Sequence, residues 1–355
     1  MGTLPTMQRS MELGVYSFGD TATDPTTGRP VSSAQAMRNL LDAIRLADEV
    51  GLDVFGIGEH HTEEMPASAA ATILAAAAPI TERIKLISSV TILSTDDPVR
   101  VYQQFATLDA LSHGRAEITA GRGSSTESFP LFGHSLDDYD RLFAEKLDLL
   151  LAIDRGDPVT WRGTVRAPLD EAVVVPRPDA GHLPIWLATG GNPGSSVRAG
   201  MLGLPVAYGI IGGQAARFAS LADAYRQAAA EANVPGDRIR VGVATPGFVG
   251  EEADAARDDW WPAWSNVMRD IGRRRGFAPM PRSVYDRDAS FGGALFVGDP
   301  DEVAERIVAL ARAMGHDRHL IQMDVGHLPQ EVFLASIERL GREVKPRVDA
   351  LLATG

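Results

Sequence analysis

Short runs of β-branched and apolar residues alternate along the chain with longer stretches whose apolar positions recur every three or four residues. The strand-like runs fall at 13–18, 54–59, 84–93, 116–121, 184–189, 205–211, 239–249 and 320–325. Met37, Leu40, Leu41, Ile44 and Ala47 form one helical stripe between the first two runs. Tyr139, Leu142, Phe143, Leu147 and Leu150 form another after the fourth. Val303, Ile307, Leu310 and Met314 repeat the pattern late in the chain, as do Phe333, Ile337, Leu340 and Val344. Eight strands with interleaved helices predict an α/β fold in which a parallel sheet closes on itself, a single (β/α)8 TIM barrel. Two segments interrupt the alternation. Residues 158–182, with Pro158, Pro168, Pro176 and Pro178, read as an excursion before the fifth strand; the Gly-, Pro- and Arg-rich 276–296 reads as a lid before the eighth. One domain over 11–355 follows, preceded by a loose polar leader at 1–10.

A chain of 355 residues, 45% hydrophobic and 23% charged, buries a large core and has no span suited to a membrane. The net charge of -13 argues against a nucleic-acid partner, which clustered Lys and Arg would recognise. The dense basic run Arg273, Arg274 and Arg275 reads either as a solvated helix end or as part of a lid that meets an anionic ligand. The absence of cysteine removes disulfides, thiolate metal sites and a cysteine nucleophile. No signal-peptide pattern is visible, so the expected location is cytoplasmic.

Chemistry in such a barrel gathers at the C-terminal ends of the strands. The second run ends in Gly58-Glu59-His60-His61, a carboxylate and two imidazoles at the rim. Adjacent residues of extended chain point to opposite sides, which disfavours a shared metal ion. An imidazole acting as acid, base or hydrogen-bond donor fits better, with a histidine packed under a loop as the plain alternative. The fourth run ends in Ala120-Gly121-Arg122-Gly123-Ser124-Ser125, where a glycine-flanked guanidinium suits a phosphate but the lysine of a P-loop is missing. The fifth enters a helix through Thr189-Gly190-Gly191-Asn192-Pro193-Gly194-Ser195-Ser196. Free N–H groups, hydroxyls and a helix N-terminus there suit a phosphate as well as they suit ordinary capping. The glycine spacing is not the dinucleotide fingerprint, and 209–213 holds no carboxylate to bind a ribose. Hydrolase motifs such as Gly-x-Ser-x-Gly and His-Glu-x-x-His are absent.

At these positions the chain resembles the bacterial luciferase-like monooxygenases. The resemblance is carried by Glu59-His60-His61, Ser94-Thr95-Asp96-Asp97-Pro98-Val99-Arg100, Leu108-Asp109-Ala110-Leu111-Ser112-His113-Gly114-Arg115 and Gly121-Arg122-Gly123, in that order. It implies a (β/α)8 barrel binding reduced flavin at the C-terminal mouth, with the cofactor supplying the difficult chemistry. By the same resemblance His60 is the active-site acid or base, with Glu59 beside it. Arg122, next to Gly121, is the phosphate-binding arginine, and Thr189, Gly190, Gly191, Asn192, Ser195 and Ser196 complete the cradle. Arg141 is a second basic contact. A non-proline cis peptide is expected at Ser89-Val90, behind the ring of the cofactor, with the Thr91 hydroxyl close by. Gly121 stands where luciferases carry a reactive cysteine, so nothing that depends on that thiol carries over, light emission included.

The expected activity is an FMN-dependent monooxygenase that uses O2 to oxidise an aldehyde or similar small organic substrate. Its reduced flavin would come from a separate flavin reductase, since the chain shows no NAD(P)H fingerprint; the resemblance also suggests a homodimer. The same fold with deazaflavin F420 would transfer hydride without oxygen. A barrel lyase or aldolase acting on a phosphorylated metabolite, and an inactive flavin-binding subunit, are the alternatives from other classes. The second of these need not keep the set His60, Arg122 and Ser195.

Overall fold

Alternation of inward and outward side chains sorts eight strands into a ring: β1 (Glu12–Ser17), β2 (Val54–Ile57), β3 (Lys85–Ser88), β4 (Ala116–Gly121), β5 (Ile185–Thr189), β6 (Val206–Gly209), β7 (Val241–Val249) and β8 (Arg318–Gln322). In this computed structural model each strand pairs in parallel with the next, and β8 returns to β1. The sheet is a closed TIM barrel. The structure describes residues 10–123, 126–156, 158–276 and 278–354. Leader residues 1–9, Ser124 and Ser125 of the fourth-strand motif, and Phe277 of the expected lid lie outside the described residues.

Outward strand residues such as Leu13, Phe55, Leu86, Ile118, Leu187 and Val243 form one large core with the surrounding helices. Those helices include α1 (Ser33–Glu49), α2 (Ala70–Ala77), α3 (Pro98–Ser112), α4 (Tyr139–Arg155), α5 (Pro193–Leu202), α6 (Ala219–Glu231), α7 (Ala253–Arg275) and α8 (Pro300–Met314). Most of the expected stripes are buried: Leu40, Ile44 and Ala47 on α1, and Leu142, Phe143, Leu147 and Leu150 on α4. The closing stripe Phe333, Ile337, Leu340 and Val344 is buried too, on a helix that runs from Gln330 through a π turn to Ala353.

The lumen is filled unevenly. Tyr16, Val54, Ile87 and Leu320 pack together on the β1, β2, β3 and β8 side. Across from them the inward positions of β5, β6 and β7 above Trp186 are Ala188, Ala207, Gly209 and Ala244, all half-buried. Below, at the N-terminal end, Arg318 reaches across the lumen to Glu117 on non-adjacent β4, with Nη1 to Oε2 at 2.6 Å. Arg318 also bonds Glu12 at 2.7 Å and lies 4.3 Å over the Trp186 ring. Those partners hold the Glu12 carboxyl at about 2: burial alone would raise it, and Arg318, Arg240 and Lys85 outweigh burial.

Three expectations need correction. The third strand is not continuous over 84–93: β3 stops at Ser88, Ser89–Val90 is a cis peptide, and Thr91–Ile92 resumes pairing with β4. The eighth strand begins two residues early, because Arg318 and His319 are buried strand residues despite their polarity. The segment 276–296 is partly regular, with a helix at Arg282–Ala289, and it leads into a short strand, Phe296–Gly298, on the end of β7. The excursion 158–182 contains an antiparallel hairpin, Val159–Trp161 with Leu169–Ala172.

Candidate active site

The site is built where β2, β3, β4 and β5 end. After Ser88 the chain bulges toward its neighbours, and two glycines make room for it. A Cβ on Gly58 would lie 2.5 Å from the Ser89 carbonyl oxygen, and one on Gly121 would lie 2.6 Å from Val90 Cγ2. Gly121 therefore serves the packing of Val90. The bulge is held by Ser89 N donating to the Ile57 carbonyl at 2.7 Å and Glu59 N donating to the Val90 carbonyl at 3.1 Å. Ser89 and Val90 are half-buried, and Thr91 is buried beside Ala120.

Glu59 is a bracket within this rim. One carboxylate oxygen accepts from Ile92 N at 2.9 Å and the other pairs with His61 Nε2 at 2.9 Å. Burial raises its pKa, opposed by those two donors. His61 also packs edge-on against Phe132, at 5.4 Å between ring centroids. His60 turns the other way, its ring 4.3 Å from that of Phe18 at the end of β1. The two histidines thus diverge, as adjacent residues of extended chain do.

A second cluster gathers across the mouth. Arg122 Nη2 lies 3.4 Å from Ser195 Oγ on the first turn of α5, which places the fourth-strand arginine against the fifth-strand helix start. Its Nη1 bonds Asp140 at 2.8 Å, and its guanidinium lies 5.4 Å over the Tyr139 ring. Tyr139 in turn donates to the Gly123 carbonyl at 2.7 Å. Asn192 caps α5 by accepting from Ser195 N at 3.1 Å, and Asn192 N donates to Thr189 Oγ1 at 3.2 Å. The loop is thereby fixed at the start of α5. Ser196 is fully buried and accepts from Tyr208, so it braces α5 from behind. Among the described residues nothing lies within 4 Å of where a Cβ would stand on Gly190 or Gly209, and with Ala188 and Ala207 these residues border open space at the mouth.

The structure therefore brings Arg122, Asn192 and Ser195 together with Gly190 and Gly191. It ties Arg141 elsewhere, to Asp138 at 2.6 Å and to Thr164 of the excursion at 3.1 Å. Tyr139, read from spacing as part of a buried helical stripe, instead lies half-buried under Arg122. Arg274 bonds Glu64 at 2.6 Å and approaches Glu127 at 3.6 Å, so the basic run joins α7 to the loops after β2 and β4. Two motifs that carry the resemblance are structural. Asp97 caps α3 through Val99 N at 2.9 Å, and Arg115 binds the Ala78, Thr81 and Ile84 carbonyls away from the mouth. Sequence reasoning missed Ser17, Asp20 and Asp324, polar residues at the ends of β1 and β8 whose only local signal was their position.

Comparison with known proteins agrees with this architecture. The family described as luciferase-like monooxygenase matches residues 11–317, and the chain belongs to that family. It is 26% identical over 322 residues to the 4-hydroxyprotoasukamycin monooxygenase of Streptomyces nodosus subsp. asukaensis, covering 88% of this chain and 87% of the relative. Its fold is similar to the oxygenating constituent of 3,6-diketocamphane monooxygenase from Pseudomonas putida, solved with FMN, at TM-score 0.77 and 20% identity over 96% of this chain and 99% of that one. An F420-dependent secondary alcohol dehydrogenase is similar at TM-score 0.71 and 18% identity, over 96% and 99%. Membership places the chain among oxidoreductases.

Proposed function

We propose that this protein is an FMN-dependent monooxygenase, the flavin bound at the C-terminal mouth and reduced by a separate reductase. The observation that carries the reading is the convergence of Arg122, Ser195 and the capped N-terminus of α5 beside open space bordered by Gly190 and Gly209. A guanidinium, a hydroxyl and the positive end of the α5 dipole suit a phosphate dianion. The small inward residues of β5 and β6 leave room for a ring system, and the bulge at Ser89–Val90 gives it a wall. A similar fold carries FMN in 3,6-diketocamphane monooxygenase, which supports the fit of the donor set.

When bound, reduced flavin supplies two electrons and activates O2. The chain's own residues then hold, orient and protonate. Arg122, Asn192 and Ser195 fix the phosphate end. Val90, packed against Gly121, would border the ring of a bound flavin. His60, held against Phe18 at the rim, moves a proton to or from the reacting atoms. Glu59 holds the β2 loop beside His60 to the Ile92 amide.

The test is anaerobic titration with reduced FMN, followed by admission of O2 while the flavin spectrum is recorded. Tight binding and delayed return of the oxidised spectrum support the reading. Binding of F420 in place of FMN would overturn it in favour of oxygen-independent hydride transfer, the reaction class of the similar alcohol dehydrogenase.

A further inference from the structure

We propose that Asp140 competes with the phosphate of the cofactor for Arg122, through an ion pair that the phosphate must displace, and so keeps the flavin exchangeable. This role rests on the proposed flavin site. Arg122 Nη1 donates to Asp140 Oδ1 at 2.8 Å. Its Nη2 lies 3.4 Å from Ser195 Oγ, beyond the usual length for such a bond. The face of the guanidinium lies 5.4 Å from the centre of the Tyr139 ring. The short contact, and with it the pairing of charge, therefore belongs to Asp140.

Asp140 is suited to leaving. Its side chain is 83% exposed, against 25% for Arg122, so turning it away uncovers little buried surface and returns the carboxylate to water. It stands in the first turn of α4, where the positive end of the helix dipole still balances its charge once the pair is broken. Arg122 is more closely held. Tyr139 lies under its guanidinium and is itself tied, through its hydroxyl, to the Gly123 carbonyl at 2.7 Å. The arginine stays in place while its anion changes. Arg141, the next residue after Asp140, does not relieve the competition, because it is tied to Asp138 at 2.6 Å and to Thr164 at 3.1 Å.

Affinity at this position is then set by exchange of one anion for another. A phosphate dianion that takes Nη1 gains a charged hydrogen bond, and the protein gives up the Asp140 pair in return. An exposed pair of this kind changes an equilibrium constant only a few-fold, so the competitor weakens the site without closing it. Once displaced, Asp140 remains tethered on α4 beside the arginine, where it repels the phosphate and can retake the guanidinium as the flavin leaves. A flavin that arrives reduced from another protein and departs oxidised needs such a reversible hold. Riboflavin, which has no phosphate, meets no such competition. The step is an exchange of ion pairs, with no covalent bond formed or broken.

The first arm is titration of the full chain with FMN and with riboflavin at about 10 mM ionic strength, where the screening length is about 30 Å. Asp140→Asn keeps the size of an exposed side chain and should fold as the parent does, which a thermal melt verifies. It should lower the FMN dissociation constant roughly twofold to fivefold and leave that of riboflavin unchanged. Asp137→Asn is the control: it removes the same charge from an exposed carboxylate bonded to Ser135 and should leave FMN binding as it is. An unaltered FMN constant in Asp140→Asn overturns the competition. A raised constant does so too, because Asp140 would then be orienting Arg122 for the phosphate. Equal tightening in both variants would reduce the effect to net charge and likewise overturn it. The second arm needs no flavin and follows melting temperature against inorganic phosphate. Asp140→Asn should respond at lower phosphate than the parent, and Arg122→Ala should not respond. Equal responses in Asp140→Asn and the parent, or none in either, overturn the role of Asp140. If the parent binds no FMN, the proposed function fails, and the phosphate series still decides for or against Asp140.

Discussion

Arg122 meets three kinds of partner at once: a hydroxyl on α5, an exposed carboxylate at Asp140 and the ring of Tyr139. A phosphate would replace the weakest of these, the solvent-screened Asp140 pair. Arg122→Ala should weaken FMN binding by about 1.5 to 3 kcal/mol, the range for a hydrogen bond to a charged group. Riboflavin, which has no phosphate, should bind parent and variant alike; equal FMN dissociation constants in the two proteins would remove Arg122 from the cradle. His60→Ala should keep FMN binding and lose most turnover, which separates a proton-moving role from a packing role against Phe18. Arg122 and His60 stood out in the sequence as candidates because glycine-flanked or clustered polar residues at strand ends are rarely needed for packing. Tyr139 was not, because its spacing fits a core stripe and only the position of Arg122 turns its ring into a support.

The decisive joint among the elements is the one from β5 to α5. Asn192 caps the helix and Thr189 fixes the loop before it, so the start of α5 is set before any ligand arrives. Asn192→Ala should cost about 1 kcal/mol of stability and weaken FMN binding as well. Calorimetry and titration on one sample check the two effects, and loss of stability without loss of affinity would make the cap purely structural. Periodicity located β3 but not its interruption, because the run 84–93 stays apolar through the bulge. The bulge depends on glycines of β2 and β4, which lie outside any local window. The polar start of β8 was lost for the same reason.

For the whole molecule, two buried charge clusters at opposite ends of the barrel give stability opposite slopes with pH. At the N-terminal end Glu12 and Glu117 are held below their ordinary range by arginine, so their contribution is present above about pH 4.5 and is lost as pH falls toward about 2. At the mouth Asp20 and Asp324 are raised, so their neutral form favours folding at low pH, and stability is lost as pH rises from about 3.8 through about 7. Melting temperature against pH should fall on both sides, and Asp324→Asn should flatten the neutral side alone. Glu117→Ala should destabilise by roughly 3 to 5 kcal/mol, since it leaves the Arg318 charge buried in the lumen with a partner missing. A chemical melt that shifts by less than about 1 kcal/mol would mean that Glu12 alone satisfies Arg318.

The sequence by itself determined the element order, the (β/α)8 barrel, the outward core faces and the strand-end residues proposed as a phosphate cradle, because period, caps and glycine are written within a few positions of where they act. Only the tertiary structure decided which lumen wall is filled and which stays open. It alone brought Arg318 to Glu117, 201 positions away, and set Asp20 and Asp324 at the ends of the neighbouring strands β1 and β8. Such groups are costly to bury alone and become tolerable only when closure of the barrel delivers the partner or the proton, and no local pattern records that delivery.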